Sequence, residues 1–111
     1  MSDLESRVLD KTWFYRFQLP SGAVTRSYGE GELDAIHETR LKMMDAAIAA
    51  NVPGGLAGRT AVDLACHQGY FSTELAKRGA QRVLGIDARP EHVADSTMIA
   101  QAMNLPQFEA V

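Results

Sequence analysis

The stretch Ala61-Val62-Asp63-Leu64-Ala65-Cys66-His67-Gln68-Gly69-Tyr70-Phe71-Ser72 decides the fold, read together with the later run Arg82-Val83-Leu84-Gly85-Ile86-Asp87. An apolar run carrying an acidic residue, a tight turn of small residues, a helix, and a second apolar run closed by Asp describe a nucleotide-binding βαβ unit. In such a unit the first turn sets backbone amides and a helix N-terminus against the ligand, and the acid ending the second strand accepts hydrogen bonds from a ribose.

Outward from that core, Thr60 to Leu64 is expected as the first sheet strand and residues 69–78 as a short helix with Phe71, Leu75 and Ala76 inward. Gly79 supplies the left-handed residue that ends it. The run 82–87 is nearly continuous in apolar character, as in a strand buried on both faces of a parallel sheet. Pro90 and Glu91 suit the first turn of a further helix reaching about Met103, with Val93, Ala94, Ile99 and Met103 inward. Leu105-Pro106 ends it, and residues 107–111 make a short third strand.

Toward the N-terminus, residues 3–10 suit a short helix with Leu4, Val8 and Leu9 on one side. Residues 13–19 alternate into an aromatic-rich strand, Pro20-Ser21-Gly22 turns, and residues 23–28 return, which predicts a β-hairpin. Leu33, Ile36, Met44, Ala47 and Ile48, with Leu41 beside them, give residues 34–51 the spacing of an amphipathic helix, stopped by Asn51-Val52-Pro53-Gly54-Gly55. The fold class expected is α/β: an N-terminal β-hairpin and helix followed by the first half of a doubly wound parallel sheet. Residues 1–56 form the extension and residues 57–111 a partial Rossmann-like domain.

The segment Asp63-x-Ala65-x-His67-x-Gly69 resembles the acidic-x-Gly-x-Gly-x-Gly loop of class I S-adenosylmethionine-dependent methyltransferases, over roughly residues 60–111. One glycine of three is kept. The nicotinamide pattern Gly-x-Gly-x-x-Gly would need glycine at Ala65, His67 and Tyr70, and finds none. The resemblance implies S-adenosylmethionine as cofactor, with Asp63, Ala65, His67, Gly69, Asp87 and Arg89 around it. It also implies in-line displacement of a methyl group from the sulfonium, with the protein acting by positioning. The family usually has seven strands and this chain holds two plus a short third, so it reads as a truncated or shortened member. The family's candidate bases fall beyond it, and no catalytic residue is assigned. The aromatic stretch Trp13-Phe14-Tyr15 with Leu19-Pro20-Ser21-Gly22 is loosely similar to the extension of wobble-uridine tRNA methyltransferase-like enzymes.

Each residue also has a plainer reading. Asp63 and Asp87 could cap the helices that follow them. His67 could donate to the cofactor or turn to solvent, and Arg89 could stack on adenine or stay solvated. Trp13 or Tyr15 could cover the cofactor, though a hairpin that packs on the domain is favoured. Cys66 reads as packing, and His37 and His92 as surface residues.

Hydrophobic residues at 46% and charged residues at 23% describe an ordinary globular chain of 111 residues. A net charge of −3 argues against a surface built for nucleic acid. The longest low-charge stretch, 46–56, is too short and interrupted to span a membrane. One cysteine and three scattered histidines make neither a disulfide framework nor a metal site, and a cytoplasmic location is expected. The first strand, without its usual second neighbour, predicts self-association or a partner that completes the sheet. The alternative to an enzyme portion is a catalytically inactive methyltransferase-like binding or assembly module.

Overall fold

A computed structural model describes residues 2–111. The chain opens with α1 (Asp3–Asp10), capped by the Ser2 hydroxyl, which accepts from the Glu5 amide at 3.1 Å. Two short strands follow, β1 (Thr12–Trp13) and β2 (Arg26–Ser27), paired in parallel. Between them the chain folds back as a hairpin. Gln18 and Val24 form an antiparallel bridge, and the Gly22 amide closes the turn on Leu19 O. The Thr25 hydroxyl ties the arms together, accepting from the Phe17 amide at 2.8 Å and donating to Tyr15 O at 3.3 Å.

Burial alternates along the first arm as the sequence predicts: Trp13, Tyr15, Phe17 and Leu19 are buried, Arg16 and Gln18 exposed. The regular ladder is much shorter than the alternation suggests, because side-chain bonds replace backbone pairing there. The inward residues join Val8, Ile99 and Met103 in one cluster, which fixes the hairpin to the later helix spanning Pro90–Ala102.

A 3-10 turn (Tyr28–Gly31) leads to α2 (Asp34–Asn51). The expected amphipathic seating of α2 is not found: Ile36 and Ala47 are exposed, Leu41, Met44 and Ile48 only half-buried, and His37 is its one buried residue. Spacing alone marked a face, but the chain brings little against it.

The second half is a three-stranded parallel sheet in the order β3-β4-β5, with β3 (Thr60–Leu64), β4 (Arg82–Ile86) and β5 (Phe108–Ala110). α3 (Tyr70–Lys77) and α4 (Pro90–Ala102) make the crossovers. The register aligns Ala61 with Val83 and Phe108, and Asp63 with Gly85 and Ala110. That face packs on both helices through a cluster of Leu56, Ala76, Ala80, Val83, Ala100 and Phe108. Gly85 is required there, since a Cβ would stand 2.9 Å from the Phe108 ring and 3.0 Å from Cys66 Sγ.

The other face carries Val62, Leu64, Leu84 and Ile86 and is largely bare, with Val62 56% and Leu64 73% exposed. β4 is therefore buried on one face, not both. The two crossovers here place both helices on the same side, and the sequence of a strand cannot tell whether a second layer covers it. In α4, Ile99 and Met103 lie inward as expected, Val93 is half-buried, and Ala94 faces solvent. Among the described residues no helix is long and apolar enough to cross a membrane.

Candidate functional site

The loop between β3 and α3 turns by placing alternate residues in the left-handed region: Ala65 at φ 58°, His67 at 55° and Gly69 at 85°. These are the three positions where the resembling family carries glycine. For Ala65 and His67 that conformation costs roughly 1–2 kcal/mol each. A charge-assisted hydrogen bond, worth roughly 1.5–3 kcal/mol, offsets one such cost: the Asp87 carboxylate accepts from the His67 amide at 2.8 Å. Gly69 is further constrained by space, as a Cβ there would lie 2.9 Å from the Phe108 ring.

Asp87, just past β4, is the hub of the site. Its Oδ2 takes the His67 amide, and its Oδ1 takes the Arg89 amide at 3.0 Å and His92 Nδ1 at 3.1 Å. Since a carboxylate only accepts, that contact assigns the His92 proton to Nδ1. Desolvation opposes ionisation, but the Arg89 and His67 amides and His92 together hold the Asp87 carboxyl below its usual range. Asp63 lies in the register row beside Gly85 and accepts from the Ser72 hydroxyl at 2.7 Å, bracing the loop against α3. Burial pushes its carboxyl above the usual range, Ser72 opposes that, and the Asp87 charge adds to it.

The His67 ring is half-buried between His92, stacked at 4.0 Å, and the rings of Phe14 at 5.0 Å and Tyr15 at 5.4 Å. Burial, then the neighbouring His92, lowers its pKa. Ser96 Oγ donates to His67 O at 3.0 Å and holds the loop to α4. Gln68 is the bridge to the N-terminal segment: its Oε1 accepts from the Phe14 amide at 2.8 Å and its Nε2 donates to Asp95 at 3.1 Å, which Lys11 meets at 3.4 Å.

The chain thus brings Asp63, His67, Gly69 and Asp87 to one end of the sheet, with Ala65 exposed at its rim. Arg89 points outward and pairs with Glu91 at 3.1 Å. Cys66 is buried against Gly85 and Ser96. Two residues read as surface are not: His37 is 4% exposed, and His92 packs on Asp87 and His67. Gln68, His92 and Asp95 were missed as parts of the site. His92 was findable in principle, because a first-turn histidine after a strand-ending Asp lies back over that Asp.

Three parallel strands, a left-handed loop after the first and an acid after the second give the chain the class I, Rossmann-like fold of S-adenosylmethionine-dependent methyltransferases. Among solved structures it is similar to WbdD, described as a bifunctional kinase–methyltransferase, with TM-score 0.62 and 23% identity over 98% of this chain and 23% of that one. It is also similar to the ribosomal protein L11 methylase of Lactobacillus delbrueckii subsp. bulgaricus, with TM-score 0.53 and 21% identity over 68% of this chain and 36% of that one. The chain spans well under half the length of either. The likeness is to the class as a whole and does not single out the wobble-uridine tRNA enzymes. No protein-family model matches the sequence, and no curated protein does.

Proposed function

We propose that this chain is the cofactor-binding portion of an S-adenosylmethionine-dependent methyltransferase, with residues 1–56 as an extension and 57–111 as the partial cofactor domain. The observation that carries the reading is Asp87, held at the end of β4 against the left-handed loop. Asp87 would accept the ribose hydroxyls, and Asp63, Ala65, His67 and Gly69 would shape the wall along the cofactor, with Arg89 near the adenine. The Ala65 and Gln68 amides donate to no acceptor among the described residues, which leaves them for a ligand. The fit needs one adjustment. Oδ2 keeps a free lone pair, but Oδ1 already accepts twice, so engaging both hydroxyls requires His92 to withdraw.

When bound, the cofactor supplies an electrophilic methyl group on a sulfonium. The chain's own residues bind and orient it, and methyl transfer asks no more of them than position. Calorimetric titration with S-adenosylmethionine and S-adenosylhomocysteine tests the reading. Saturable binding, lost in a folded Asp87→Ala variant, supports it. A folded wild-type chain that binds neither overturns it.

A second reading is favoured by the bare sheet. β3 pairs on one side only and shows Val62 and Leu64 to solvent, so a further strand or layer, from a second copy or another chain, would complete it. As an inactive assembly module the chain would self-associate without binding cofactor. Sedimentation velocity over a concentration series separates the two, since a monomer at all concentrations removes self-association.

A further inference from the structure

Two partners compete for one oxygen of Asp87. His92 Nδ1 donates to Oδ1 in this chain, and a ribose that engages both carboxylate oxygens needs the same position. The pair is largely withdrawn from solvent, with 14% of the His92 side chain and 9% of the Asp87 side chain exposed. Water and salt screen such a contact less than one at the surface. Its strength therefore depends on whether the imidazole is charged, and imidazole is the side chain that ordinarily changes charge between pH 5 and 8.

The geometry gives a further proton a place to arrive. Nδ1 already donates to Asp87, which leaves Nε2 as the accepting nitrogen. Nε2 has no hydrogen-bond partner among the described residues, yet it is not one of the polar atoms sealed from solvent. A proton taken up there leaves the Nδ1–H bond to Asp87 in place and makes it a bond between two ions.

The other charges around the ring are engaged elsewhere. Arg89, just before α4, pairs with Glu91 at 3.1 Å. Asp95, one turn further along α4, accepts from Gln68 Nε2 at 3.1 Å and meets Lys11 at 3.4 Å. His67 stacks on the ring at 4.0 Å, and burial, then His92, lowers its pKa. A charged His92 thus disfavours a second charge on His67, and Asp87 is the carboxylate that His92 touches.

We propose that the Asp87–His92 pair is a proton-operated gate on the cofactor site. A proton on His92 holds the ring against Asp87 and weakens ligand binding; its loss lets a ribose displace the ring more easily. The gate rests on the reading of Asp87 as the ribose acceptor. Linkage is reciprocal, so a bound ligand that frees His92 from Asp87 also makes it release its proton more readily.

The test is calorimetric titration of the full chain with S-adenosylhomocysteine at about pH 7.5 and about pH 5.5. Wild type is compared with His92→Gln, whose amide can donate to Asp87 but does not titrate, and circular dichroism checks the fold at each pH. Wild type is expected to bind roughly fivefold more weakly at the lower pH, equivalent to about 1 kcal/mol, and the variant to stay nearly level. Repeating the titration near neutrality in two buffers of different ionisation enthalpy should show wild type releasing protons on binding and the variant releasing none. Equal wild-type affinity at both pH values, with no proton release, overturns the gate and leaves the cofactor reading standing. Parallel weakening in both proteins assigns the effect to another group and also overturns it. A folded wild type that binds at neither pH defeats the cofactor reading, and the gate with it.

Discussion

His92 Nδ1 lies 3.1 Å from Asp87 Oδ1, so one oxygen of the carboxylate proposed to meet a ribose is already engaged by the chain's own imidazole. Any ligand that uses both carboxylate oxygens must displace His92 first. Removing the ring, in His92→Ala, is expected to tighten S-adenosylhomocysteine binding by roughly fivefold, the equivalent of one hydrogen bond of about 1 kcal/mol. Calorimetry on the two proteins reads this directly, and weaker binding in the variant would mean that His92 supports the ligand.

Ala65 is exposed and sits at φ 58°, so its side chain brings conformational cost with no packing in return. Ala65→Gly relieves a left-handed cost of roughly 1–2 kcal/mol while adding the extra chain entropy of glycine, about 0.5–1 kcal/mol. The net expectation is a stabilisation of up to about 1.5 kcal/mol by urea denaturation. A loss of stability would contradict the loop geometry.

Gly85 fails in the other direction. An added methyl would press on the Phe108 ring, Cys66 and Ser72 together, and all three are buried. Gly85→Ala is expected to cost about 1–3 kcal/mol, with a lowered denaturation midpoint. Unchanged stability would show that this helix-facing side of the sheet is looser than described.

Acid should weaken the fold through its buried imidazoles. Burial lowers the pKa of His37, reinforced by Arg40, and lowers that of His67. A histidine whose folded pKa lies below its unfolded value of about 6.5 favours the neutral form on folding. Its contribution is fully present above that value and declines as pH falls toward the folded pKa. Asp63, raised on folding, acts oppositely by losing stability as pH rises through its folded value. Comparing wild type with His37→Leu cancels that carboxylate. The wild type should lose more stability than the variant between pH 7 and pH 5, at most about 1.4 kcal/mol per pH unit for the one group. Parallel pH profiles would contradict the burial of His37.

The parts of the fold legible in the sequence were those with local causes. The bounds of β3 followed from an apolar run between Arg59 and a small-residue loop, and the inward side of residues 13–19 from strict alternation. Pro90 and Gly79 marked α4's start and α3's end because their backbone preferences act within a few residues. Features set by distant packing were not legible. α2 has a helical period that nothing deep receives, and β4 reads as doubly buried although one face lies open. At the site, Asp87 and the loop stood out from their spacing. His92, Gln68 and Asp95 did not, since their roles arise only when α4 and the N-terminal segment meet the loop.

The proposed cofactor site joins the loop after β3 to the carboxylate after β4. Backbone-amide NMR of the full chain with S-adenosylhomocysteine tests it residue by residue. Saturable shifts are expected to concentrate at residues 65–69 and 87–89, with His92 moving as it leaves Asp87. No shifts, or shifts confined elsewhere on the chain, would contradict it.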